Sequence, residues 1–235
     1  MSFTKPQGLF AKPPLLVRLT LFISASAVAC SICFSQTKPT IKVACIGDSI
    51  TFGHGIKDRE MTYPAQLQKL LGEGYEVQNF GNSGRGILKK SMRGKEKRAF
   101  ISMKEHQEAL AFEPDIVISN LGINDLMDFE KFGDDFVQDY IELLTAYQSL
   151  DSKPRLIVWT PLAPLFEGHA FFEDVRIKEI NRAIAKVARK MEIESIDLES
   201  ALKQRASLFP DKIHPNAEGA AVIAKATAEF LAQEE

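Results

Sequence analysis

Short, unbroken apolar runs alternating with stretches of helical periodicity constrain this chain more than any other feature. Ile41 to Ile46, Tyr75 to Asn79, Ile116 to Asn120, Leu156 to Thr160 and Glu194 to Asp197 read as strands. Between and after them, Tyr63 to Leu71, Lys104 to Phe112, Asp134 to Leu150, Glu173 to Met191 and Asn216 to Leu231 carry apolar residues at three- and four-residue spacing and read as helices. Strands that are apolar on both faces need cover on both faces, and strand–helix–strand alternation supplies it by parallel pairing. The expected fold is α/β: a flavodoxin-like three-layer α/β/α sandwich around a five-stranded parallel sheet, in the order 2-1-3-4-5.

The first 35 residues differ from the rest. They contain Lys5, Lys12 and Arg18 and no acid; the first acidic residue is Asp48. An apolar run from Leu19 to Phe34, too short for a confident membrane span, follows Arg18. A charged start, an apolar middle and a small-residue exit are the marks of an export signal. Residues 1–35 are therefore expected to be a signal peptide and 36–235 the working domain. Cleavage after Ser35 would leave Gln36 first. Alternatively, Ala27-Val28-Ala29-Cys30 resembles a bacterial lipoprotein box, with Cys30 taking the lipid. An uncleaved anchor is the remaining alternative. Removing the leader takes three positive charges and no negative ones, so the formal net charge falls from -2 to about -5. Nothing in this balance suggests a nucleic-acid partner. The expected location is outside the cytoplasm of a bacterium: periplasmic, extracellular or tethered to the outer membrane. Of Cys30, Cys33 and Cys45, only Cys45 lies in the domain, in an apolar strand, where a small buried hydrophobe is expected.

In an open parallel sheet, ligands bind beyond the carboxyl ends of the strands. Ser49 follows the first strand, the Gly81/Gly84/Gly86 loop the second and Gly122-Ile123-Asn124-Asp125 the third. Thr160 to Pro164 follows the fourth, and Asp211 with His214 lies after the fifth. Every polar candidate thus falls on one edge. A serine hydroxyl needs a base to take its proton, and histidine is the usual base. Of the four histidines, His54 could be a rim contact, His106 is expected on a helix surface, and His169 lies in a Phe-rich loop. His214 alone has a carboxylate three residues earlier and a helix start just after. Asp211 would orient and stabilise the imidazole, or serve as a helix-start or turn residue. Three groups are candidate donors to a developing oxyanion: the Ser49 backbone N–H, the Gly84 backbone N–H and the Asn124 side-chain amide. Gly84 as a turn glycine and Asn124 as a capping residue are the alternatives. Ser83 reads as a loop residue. A Gly-x-Ser-x-Gly elbow, a phosphate-cradling loop and a dinucleotide fingerprint are all missing from the sequence. The basic run Lys89, Lys90, Arg93, Lys95, Lys97, Arg98 reads as a solvated surface segment, or as a rim attracting an anionic sugar polymer.

Gly47-Asp48-Ser49, Gly84 within Asn79-Phe80-Gly81-Asn82-Ser83-Gly84, Gly122-Ile123-Asn124-Asp125 and Asp211-x-x-His214 resemble, in order, the four blocks of the GDSL/SGNH hydrolases. The likeness spans about residues 41–231; Ile123 stands where the usual third block has Thr. It implies the SGNH hydrolase fold, Ser49 as nucleophile, Asp211 and His214 as its partners, and an oxyanion hole of Ser49, Gly84 and Asn124, with no metal or cofactor. Ser49-Ile50-Thr51-Phe52-Gly53, Tyr63-Pro64-Ala65-Gln66-Leu67 and Leu208 to Gly219 further resemble secreted bacterial sialate O-acetylesterase-like carbohydrate esterases. The implied activity is hydrolysis of short acyl esters, O-acetyl above all, on carbohydrates through an acyl-enzyme, with a small-molecule or polysaccharide ester as partner. The alternatives are a lipid esterase, lysophospholipase or thioesterase on the same residues, and a non-catalytic glycan-binding domain. Phe166, Phe171 and Phe172 would line the acceptor side or pack their loop onto the domain.

Overall fold

The structure is a computed structural model that describes Met1 and residues 39–92, 98–160, 175–202 and 205–234. The chain divides into two units, Met1–Thr37 and Lys38–Glu235, and the architecture that follows is the second unit's. The leader, Arg93, Lys95, Lys97, His169, Phe166, Phe171, Phe172 and the stretch after Thr160 lie outside the described residues.

Strand β1 (Ile41–Gly47) runs into the short helix α1 (Ser49–Phe52), and α2 (Tyr63–Leu71) leads to β2 (Tyr75–Gly81). Helix α3 (Lys104–Ala111) precedes β3 (Ile116–Asn120), and α4 (Leu126–Gln148) precedes β4 (Arg155–Trp159). Then come α5 (Val175–Met191), β5 (Glu194–Ile196), α6 (Glu199–Leu202) and α7 (Ala217–Leu231). The strands form one five-stranded sheet in the order β2-β1-β3-β4-β5, and every pairing is parallel. This is the three-layer sandwich expected from the strand and helix patterns.

Alternation along the strands divides the core in two. Ala44, Ile46, Val117, Leu156 and Val158 face one side and meet Phe136, Tyr140, Leu143, Leu144 and Tyr147 of α4 and Ile177, Ile180, Ile184 and Val187 of α5. Val43, Cys45, Ile116, Ile118, Ile157 and Trp159 face the other and meet Tyr63 and Leu67 of α2 and Ala220, Ile223 and Ala224 of α7. Cys45 is fully buried, as expected, and burial pushes its thiol up to about 12 despite a hydrogen bond with Tyr63.

Two expectations need correction. Helix α4 begins at Leu126, not Asp134. Gly133 lies inside this helix, packed so that a Cβ there would come within 3.0 Å of the Phe129 ring. Leu126 is buried and Phe129 and Phe132 pack on the core, so the apolar stripe extends two turns earlier than the sequence reading placed it. His106 is not on the surface: only 2 % of it is exposed. It lies one helical turn from buried Ala109 on the inward face of α3, with Nδ1 3.0 Å from the Tyr147 hydroxyl, and burial lowers its pKa.

Candidate active site

The end of β1 places Ser49. Gly47 admits no side chain, since a Cβ would sit 2.0 Å from Thr51 Oγ1, so the chain turns tightly from strand into α1. Asp48 caps that helix: the Ile50 N–H donates to Asp48 Oδ1 at 2.9 Å. Ser49 is thereby held at the first helical position, 8 % exposed.

From the far end of the chain, the turn before α7 supplies the base. Lys212 sits at φ +65°, a left-handed conformation uncommon for a residue with a side chain, and this folds Asp211 back over its own neighbours. Asp211 Oδ1 accepts from the backbone N–H groups of Ile213 (2.9 Å) and His214 (2.7 Å), while Oδ2 lies 2.6 Å from His214 Nδ1. Partial burial by itself would raise this carboxyl; those hydrogen bonds with His214 and Ile213 outweigh it and hold the group at about 2. An ionised carboxylate only accepts, so the ring proton resides on Nδ1 and Nε2 is left as an acceptor. Nε2 lies 2.9 Å from Ser49 Oγ, across 165 residues of sequence. The His54 ring, expected at the rim, packs against His214 with centroids 4.5 Å apart. Its backbone N–H donates to the Ser49 carbonyl at 2.8 Å.

The remaining predicted residues converge on the same place. Gly84 has φ +78° and open space where a Cβ would lie, and the Arg98 guanidinium donates to its carbonyl at 3.1 Å. The Asn124 amide donates to the Arg85 carbonyl (3.0 Å) and to Asp48 Oδ2 (3.2 Å). It therefore bridges the neighbour of Gly84 to the neighbour of Ser49.

Two carboxylates were quoted in the motifs but given no role. Asp48 and Asp125 are both buried, at 0 % and 3 % exposed. Asp125 accepts from the N–H groups of Ile87 (2.8 Å) and Leu88 (2.9 Å), and Gly86 packs so closely that a Cβ would lie 2.4 Å from Asp125 Oδ1. The two acids fix all three donor-bearing segments to one another. Burial pushes Asp48 up to about 7, opposed by the Ile50 N–H and reinforced by the Asp125 charge. Burial likewise brings Asp125 to about 7, opposed by the Ile87 and Leu88 N–H groups. Sequence reasoning gave neither acid a role, because the burial of each is set by segments far away in the chain.

The basic run is partly a clamp. Lys89 pairs with Asp139 (3.2 Å) and Glu142 (2.7 Å), and Lys90 with Asp135 (2.8 Å), all on α4. These charges are neutralised locally, which removes Lys89 and Lys90 from an anion-attracting rim.

A family model for GDSL-like lipase/acylhydrolases matches residues 45–222, from β1 through the Asp211/His214 turn into α7. The chain belongs to the GDSL-like lipase/acylhydrolase family. An acetylxylan esterase from Xylanibacter ruminicola is 33% identical over 205 residues, covering 79% of this chain and 42% of that protein. The chain thus spans about two-fifths of that relative's length. Among solved structures, an acetyl xylan esterase superposes with TM-score 0.62 at 24% identity, over 81% of this chain and 100% of the other. A lipolytic G-D-S-L family protein from Veillonella parvula does so with TM-score 0.62 at 16% identity, over 83% and 100%. These two likenesses show that the three-layer sandwich of this chain is a fold shared with both proteins.

Proposed function

We propose that this GDSL-family chain is a serine esterase that removes short acyl groups, acetyl first among them, from carbohydrate hydroxyls. The observation that carries the reading is the 2.9 Å approach of Ser49 Oγ to His214 Nε2, with Nδ1 of the same ring tied to Asp211. In this mechanism His214 takes the Ser49 proton as Oγ attacks the ester carbonyl. Asp211 holds the imidazole in the Nδ1–H tautomer and stabilises its cation. The oxyanion collects the N–H groups of Ser49 and Gly84 and one proton of the Asn124 amide, which then leaves either Arg85 or Asp48. Each such donor is worth about 3 kcal/mol in the transition state. His214 gives its proton to the ester oxygen, which departs as the sugar hydroxyl and leaves the acetyl group on Ser49. Water, deprotonated by the same ring, then attacks the acetyl carbon, and the ring returns the proton to Ser49 Oγ as acetate departs.

The acceptor is inferred from the 33% identical acetylxylan esterase and from the sequence likeness to carbohydrate esterases. We further propose that residues 1–35 direct export, which would bring the enzyme to polysaccharide outside the cell. Acetate release from acetylated xylan, set beside hydrolysis of long-chain fatty-acyl esters, tests the acceptor. Ser49→Ala is expected to lower kcat by about a thousandfold or more and to abolish labelling by a fluorophosphonate. Full activity in that variant would overturn the mechanism. Preference for long acyl chains would overturn the substrate class.

A further inference from the structure

The exposed edge of the sheet carries a second concavity next to the site. A cavity of about 410 Å³ lies along β2, floored by Val77, Asn79 and Gly81, with Pro64 and Ala65 of α2 on one side and Lys104, Glu105 and Glu108 of α3 on the other. Its volume falls in the range of small-ligand sites.

The cavity adjoins the nucleophile by construction. Gly81, at its end, pairs with Gly47 in the sheet, two residues before Ser49. Phe52, also lining it, closes the short helix that Ser49 opens, and remains 41% exposed. Arg59 stacks over the Phe52 ring at 4.4 Å, and its guanidinium donates to the Phe52 carbonyl, which fixes the aromatic ring at the mouth. On the far wall, Glu105 accepts from the Asn82 amide at 2.8 Å, in the loop that carries Gly84. Both walls are therefore tied to segments that deliver candidate catalytic groups.

The lining chemistry selects among ligands. Two cations, Arg59 and Lys104, face two anions, Glu105 and Glu108. Lys104 lies 3.2 Å from Glu108 and 4.0 Å from Glu105, so no unbalanced charge awaits an ionic ligand. An alkyl chain laid here would strip water from all four charges without replacing it. A neutral polyol would instead keep hydrogen bonds to carboxylate, ammonium and amide, with an aromatic ring for its C–H face. We infer that this groove is a distal subsite for neutral sugar units of the glycan whose ester is being cleaved at Ser49. The inference rests on the carbohydrate reading of the active site.

Two variants of the full chain test it. Ala65→Trp would fill the groove from α2, and Glu108→Ala would remove an exposed acceptor from α3. With acetylated xylohexaose, KM is expected to rise about tenfold in Ala65→Trp and by a smaller factor in Glu108→Ala, with kcat unchanged. Hydrolysis of p-nitrophenyl acetate, which cannot reach the groove, should be unaltered. Unchanged KM in both variants would overturn the subsite, as would an equal loss with the aryl acetate. If Ala65→Trp fails to fold, Glu108→Ala carries the test. Calorimetry with unacetylated xylohexaose separates this inference from the esterase reading. Binding that Ala65→Trp abolishes upholds the groove even if no acetylated glycan is hydrolysed; no binding removes it even if acetate is released.

Discussion

Asp48 and Asp125 hold the segments of the candidate site together without facing Ser49 Oγ or the His214 ring. Each is an acceptor for backbone N–H groups beside a candidate donor, and each is buried enough that ionisation is costly. Replacing Asp125 by Asn would turn an NH2 toward the N–H of Ile87 or Leu88. The expected result is a loss of about 1–3 kcal/mol in urea unfolding and a fall in kcat for p-nitrophenyl acetate larger than any change in KM; a variant with wild-type kcat would remove the positioning role. The pH dependence follows from the same pair. Their folded pKa values, about 7, lie above the ordinary value of 3.8, so the native state holds protons that the unfolded chain has released. Their contribution to stability therefore falls as pH rises from about 4 to about 7 and is constant above that. Asp211 works in the opposite sense and in another window: its folded value of about 2 gives stability present above 3.8 and lost as pH falls toward 2. Chemical denaturation between pH 4 and 8 should show the first slope, flattened in Asp48→Asn; no slope in the wild type would contradict it. At this scale the sequence singles out the candidate groups of the site. Ser49, His214 and Asp211 stood out because their types and spacing are informative by themselves. Asp48 and Asp125 did not, because an acid's burial depends on segments tens of residues away.

Helices and strands were legible wherever a single local pattern decided them. All five strands lie where the sequence places them, in the order expected of a doubly wound sheet, whereas the start of α4 and the inward face of α3 depended on neighbours. Gly133 costs about 1 kcal/mol of helix propensity inside α4, and the Phe129 ring against it shows why no larger residue stands there. His106 looked solvent-facing among Glu105 and Glu108, and its burial is set by Tyr147 of α4. Two glycines give a matched test at this scale. A Cβ at Gly81 would lie 2.2 Å from the Phe52 backbone nitrogen, so Gly81→Ala is expected to destabilise by about 3 kcal/mol or more. Gly74 has nothing within 4 Å of that position, so Gly74→Ala should stay within about 0.5 kcal/mol. Equal unfolding midpoints for the two variants would show that β2 and α1 are not packed as described.

For the molecule as a whole, the GDSL-like family match takes in residues of all five strands of the one parallel sheet. The export reading adds a molecular prediction: mass spectrometry of the chain recovered from a bacterial envelope or medium should find Gln36 first, or a lipid-modified Cys30. Retention of residues 1–35 in the exported material would reject the leader. The 165-residue separation between Ser49 and His214 has a consequence for such a journey. The serine is synthesised long before the imidazole it faces, and the turn and helix that carry His214 must dock onto α1 before the two side chains meet. Under the export reading, a chain threaded through a translocation pore as an extended strand would hold the two side chains apart until it folds on the far side.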